Sequence, residues 1–72
     1  MKAIINLTTI AELPCDIASV SDYEVSFKIT KDIATADFLN ALLFMKARIY
    51  EYPEYISVTL SRESVVSIHF VD

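Results

Sequence analysis

This chain of 72 residues contains no glycine. Glycine is the one residue that enters left-handed backbone space at no steric cost. Without it there can be no glycine-rich phosphate loop, no dinucleotide fingerprint and no glycine-flanked nucleophile elbow. Turns are expected to rest on Asp, Asn, Ser and Pro instead.

The chain is one small domain, residues 1–72, and a domain this short buries only ~60% of the surface that its unfolded form exposes. Such domains usually gain a staple from disulfides, a metal or a partner. Cys15 is the single cysteine and His69 the single histidine, so neither an internal disulfide nor a structural zinc site is expected. Stability then falls to apolar burial, for which a 54% hydrophobic composition supplies the material, and to self-association. The longest uninterrupted apolar run, Ala41 to Met45, is far short of the ~20 residues that cross a bilayer. Met1 to Asn6 has neither an extended apolar region nor a small-residue cleavage site. With the lone thiol, this reads as a cytoplasmic protein.

Ten acids against six bases give a net charge of −4, which argues against general nucleic-acid binding. An acidic mimic of nucleic acid is a low-ranking alternative, since no two acids are adjacent in the sequence.

Alternating apolar and polar residues mark strands at Lys2–Thr9, Asp22–Thr30, Ile56–Leu60 and Val66–Phe70. Ile10–Ser21 reads as a short helix started by Pro14, or as a loop. Asp32–Glu51 reads as one long helix, capped by Thr30 or Asp32 and stopped by Pro53. The expected fold is α+β: a two-layer ββαββ arrangement, with a four-stranded, mainly antiparallel sheet and one long helix on one face. Tyr23, Val25, Phe27, Ile29, Ile56, Val58, Leu60, Val66, Ile68 and Phe70 would form the sheet side of the core.

On a helical count, Ala36, Leu39, Leu43, Ala47 and Tyr50 make one apolar stripe. Phe38, Ala41, Leu42, Met45 and Ile49 make a second, and Phe44 falls on the polar face. A helix apolar nearly all round is buried on more than one side. Either Ile10–Ser21 folds over the second stripe, or another chain does. A second concentration of aromatics is Tyr50-Glu51-Tyr52-Pro53-Glu54-Tyr55. There the tyrosines either close the end of the core or form a binding corner for a basic, apolar partner. The candidate protein interface is therefore Ala41, Phe44, Met45, Arg48, Tyr52, Glu54 and Tyr55.

No catalytic or metal constellation emerges, and no cofactor is implied. Cys15 and His69 have no spacing that joins them, and the carboxylates share no helix face. The chain reads as a non-enzymatic interaction module, an inhibitor, adaptor or antitoxin-like protein, with a protein partner and a homodimeric state. Its size is compatible with a phage or mobile-element origin. The alternative is a structural subunit that exists only as a homo-oligomer.

Overall fold

The computed structural model describes residues 1–71. Six strands form one antiparallel sheet: β1 (Lys2–Leu7), β2 (Leu13–Val20), β3 (Glu24–Ile29), β4 (Arg48–Glu51), β5 (Ile56–Ser61) and β6 (Val65–Phe70). Their spatial order is β4-β5-β3-β2-β1-β6. A single α-helix, α1 (Ala36–Phe44), lies between β3 and β4, and short 3-10 turns occupy Lys31–Ile33 and Arg62–Ser64.

A flat sheet cannot accommodate this order. β5 and β6 are separated by four interstrand steps, about 19 Å if flat. They also run in the same direction, so the connection would have to return along the strands as well. The link through Arg62–Ser64 reaches no more than about 14 Å when extended. The sheet must therefore curl until the end of β5 meets the start of β6. β2 carries the bend. It pairs with β1 from Leu13 to Asp16 and with β3 from Asp16 to Val20, with a bulge between Ile17 and Ser19.

The alternation in the sequence places most of the core correctly. Ala3, Ile5, Leu7, Val25, Phe27, Ile29, Ile56, Val58 and Leu60 are all buried. They are joined by Leu13 and Ile17 of β2, by Val65, and by Leu42 and Ala47 from the helical side. No buried polar side chain lacks a partner among the described residues.

The four-stranded ββαββ layout with one long helix is overturned, although the small α+β character remains. The Ile10–Ser21 segment supplies β2 rather than a helix or loop. Pro14 is tolerated there because of its direction. The Ile17 amide donates to the Met1 carbonyl at 2.7 Å, so residues 13, 15 and 17 face β1. Pro14 faces β3, where pairing begins only at Asp16, and its missing N–H costs no ladder bond.

The helix spans Ala36–Phe44 instead of Asp32–Glu51. Its N-cap is Thr35, whose hydroxyl accepts from the Phe38 amide, rather than Thr30 or Asp32. It ends because Lys46 turns left-handed at φ 61°. The Lys46 amide then reaches the Leu43 carbonyl at 2.9 Å, and the Ala47 amide reaches Leu42 at 3.1 Å. This paired closure is usually built on glycine, with an apolar contact between its flanking residues. Here buried Leu42 and Ala47 provide the apolar partners, and lysine takes the glycine position. Glu12, at φ 53°, does the same in the β1–β2 connection, where the Asn6 side chain accepts its amide at 2.8 Å. Among the described residues the two left-handed positions thus fall on Lys and Glu, not on the residues expected for turns.

Beyond Lys46 the chain is extended, and Arg48–Glu51 pairs with β5. The central Ile49 and Tyr50 are β-branched and aromatic, types that suit a strand edge. The inner face of α1 consists of fully buried Leu42 with partly buried Phe38, Leu39 and Met45. This is chiefly the second apolar stripe. Leu43, from the first, is 56% exposed.

Three residues expected in the core lie outside it. Tyr23 precedes β3 and is 81% exposed. Val66 sits at the register shift opposite Asn6–Leu7 and is 67% exposed. Phe70 is opposite Ala3, on the inner face, but β6 is the last strand and leaves it 50% exposed. No helix is long and apolar enough to cross a membrane among the described residues.

Candidate protein-binding groove

Pro14 has a consequence for the surface. Because pairing between β2 and β3 starts at Asp16 and Lys28, the two strands part beyond that point and leave a fork. The fork opens into a groove of about 600 Å³. One wall is Lys2, Pro14, Cys15 and Asp16. The other is Lys28 to Thr30 with Asp32 and Ile33, and Glu54 and Tyr55 close the end.

The tyrosine corner forms that end. The Tyr52 amide donates to the Tyr55 carbonyl at 2.9 Å, closing the turn around Pro53. The two rings stack with centroids 4.8 Å apart and planes 24° from parallel. The Lys28 ammonium lies 4.8 Å from the Tyr55 ring centre, a cation–π contact that helps to hold the ring. Tyr55 is half-buried, Tyr52 is 44% exposed, and Tyr50 is 57% exposed on the neighbouring edge strand.

The charges at the groove are mixed. The N-terminal amine binds Asp16 at 2.5 Å, and this hydrogen bond, with the amine's charge, holds the Asp16 carboxyl below its usual range. Lys2, Lys28, Asp32 and Glu54 form no ion pair among the described residues. Cys15 is half-buried in the wall. Burial, followed by the Asp16 charge, raises its thiol to about 11, so the thiolate needed for nucleophilic attack is disfavoured at neutral pH. His69 faces the opposite side of the sheet. Cys15 is opposite Ala3, which is opposite Phe70, and His69 is the next residue along β6. Sulfur and imidazole therefore do not form a nucleophile–base pair. No group of three metal-ligating side chains occurs among the described residues.

The seven candidate interface residues divide between the two ends of β4. Tyr52, Glu54 and Tyr55 gather at the groove. Near the other end, Phe44 is 81% exposed beside Leu43. Met45 turns inward, where its sulfur accepts hydrogen bonds from Thr8 and Thr9 at 3.2 and 3.3 Å. Ala41 is half-buried, and Arg48 is engaged by Glu24. Of the groove's other residues, Lys2, Asp16, Lys28, Asp32 and Ile33 are not marked as candidates by the sequence. The only early signal was Pro14, and it reads as a fork only once β2 is known to be a strand.

Comparison with protein families, curated proteins and solved structures found no match to this chain.

Proposed function

We propose that this is a small non-enzymatic protein-binding module of the inhibitor, adaptor or antitoxin-like kind, acting in the cytoplasm. Its contact surface is the fork groove and the tyrosine corner. The observation that carries this reading is the stacked Tyr52–Tyr55 pair at the end of the groove, beside the Asp32 and Glu54 carboxylates that lack an ion pair among the described residues. Aromatic rings fixed by stacking lose little entropy on contact, which is the usual character of a hot spot. Carboxylates beside them favour a partner segment that places an arginine or lysine next to an apolar side chain. A core that closes within one chain also favours a binding module over a subunit that exists only as an oligomer.

The test is capture from a lysate of the source organism on immobilised protein, comparing wild type with Tyr52→Ala/Tyr55→Ala, Glu54→Lys and Phe44→Asp. Removing a hot-spot pair should lower retention of the captured protein by about tenfold or more, and Phe44→Asp should leave it unchanged. Retention lost only with Phe44→Asp would move the contact to the helix end. Retention unaffected by the groove variants would overturn the proposal.

A further inference from the structure

The two edges of the sheet are built differently. β4 has four residues and ends in Arg48 and Glu51, which pair with Glu24 and Lys31. Short length and charge are the usual protection of a sheet edge. β6 has six residues, Val65-Val66-Ser67-Ile68-His69-Phe70, with no Lys, Arg, Asp, Glu or Pro. Among the described residues its only strand neighbour is β1.

The hydrogen-bonding direction of β6 follows from one contact. The Val71 amide donates to the Lys2 carbonyl at 3.0 Å, so by alternation Ser67 and His69 also face β1. The N–H and C=O groups of Ile68 and Phe70 then point away from the sheet, with no strand beyond them among the described residues. Around them Val66 is 67% exposed, Phe70 50% and Val71 37%.

We propose that β6 pairs antiparallel with β6 of a second copy of this chain about a twofold axis, making one continuous sheet across a homodimer. The strand's own sequence selects this occupant. Its neutrality gives a charged partner nothing to bind, whereas two identical neutral strands meet without repulsion despite the net charge of −4 on each chain. With Ile68 opposite the partner's Ile68, Val66 and Phe70 fall opposite the partner's Phe70 and Val66. The twofold axis thus produces apolar cross-strand pairs from one sequence. Size sets the strength. A stable interface buries about 800 Å² per partner, about a sixth of the 4825 Å² that this chain exposes. A six-residue strand about 20 Å long covers roughly half of that area, so the dimer is weak and concentration-dependent. It uses residues that do not line the groove and does not rest on the binding proposal.

Sedimentation velocity of the whole chain tests this over about 5 µM to 1 mM, the range of a weak interface. Wild type should pass from monomer toward dimer. Val66→Lys, at an exposed position, should move the midpoint to at least tenfold higher concentration, with the fold checked by circular dichroism. In wild type, amide exchange at Ile68 and Phe70 should slow as concentration rises. A wild type that is monomeric throughout would overturn the proposal. So would a dimer in which the Ile68 and Phe70 amides stay unprotected, or one abolished by Phe44→Asp and indifferent to Val66→Lys.

Discussion

Lys46 offers a test in which the sign of the result decides. Read as binary pattern alone, Lys46 lies inside a helix running from Asp32 to Glu51. In the structure it is the left-handed residue that ends α1, at φ 61°. Two substitutions separate these cases. Lys46→Ala and Lys46→Gly both remove the same charge from the end of the helix, so any dipole contribution cancels between them. The side chain is exposed and forms no ion pair among the described residues. What remains is backbone. A residue with a Cβ in left-handed space costs about 1–2 kcal/mol relative to its helical conformation, and glycine avoids that cost. Glycine gives back about 0.4–1 kcal/mol through the greater freedom of the unfolded chain. The glycine variant should therefore be the more stable of the two by about 0.5–1 kcal/mol, a difference of several degrees in Tm for a domain of this size. Inside a helix the order inverts, with alanine ahead by about 1 kcal/mol. Urea unfolding followed by circular dichroism, with m compared between variants, measures the difference. An alanine variant equal to or more stable than the glycine variant would refute the left-handed closure and restore the longer helix.

The packing of α1 makes neighbouring leucines unequal: Leu42→Ala should cost about 2–5 kcal/mol and Leu43→Ala about 0.5 kcal/mol or less, and similar losses in urea unfolding would contradict the inward face assigned to Leu42. Cys15 should be slow to alkylate. A thiol raised from 9.0 to about 11 holds less thiolate at pH 8, so its rate with iodoacetamide should be about 30- to 100-fold below that of an unstructured cysteine peptide, whereas a rate within a few fold would contradict the burial. Because the folded state holds this proton more tightly, the associated stability is present below pH 9 and is lost as pH rises toward 11.

Strand β3 was the most legible element. Val25, Phe27 and Ile29 alternate with polar residues, and one buried face is the only arrangement that satisfies them. The same pattern fixed the faces of β1 and β5. The misread elements share a cause, which is that their signals depend on neighbours far away in sequence. Pro14 opposes a strand unless its N–H direction is unneeded, and that depends on where β3 joins. Arg48–Glu51 has no separate period to mark it off from the helix before it, and the break lies in the backbone of Lys46, a residue that signals no break. Tyr23 and Phe70 follow the alternation yet lie beyond or at the edge of the sheet, where period two no longer implies burial. For the site, the tyrosine corner was visible as composition, while the groove required the fork.

The absence of glycine bears on the misread end of α1. A chain with glycine marks its left-handed turns in the sequence, and here Lys46 and Glu12 carry them unmarked. Each turn must then be held by its surroundings: Lys46 by the Leu42–Ala47 closure, and Glu12 by the Asn6 side chain. The two tight turns are thus paid for by contacts that also fix the ends of α1 and of β1. At Lys46 this couples the turn to the core, because Leu42 and Ala47 are both buried, whereas the Asn6–Glu12 bond lies at the surface. The fork at Pro14 begins two residues after Glu12, so the contact that holds this turn also sets where β2 enters the groove wall.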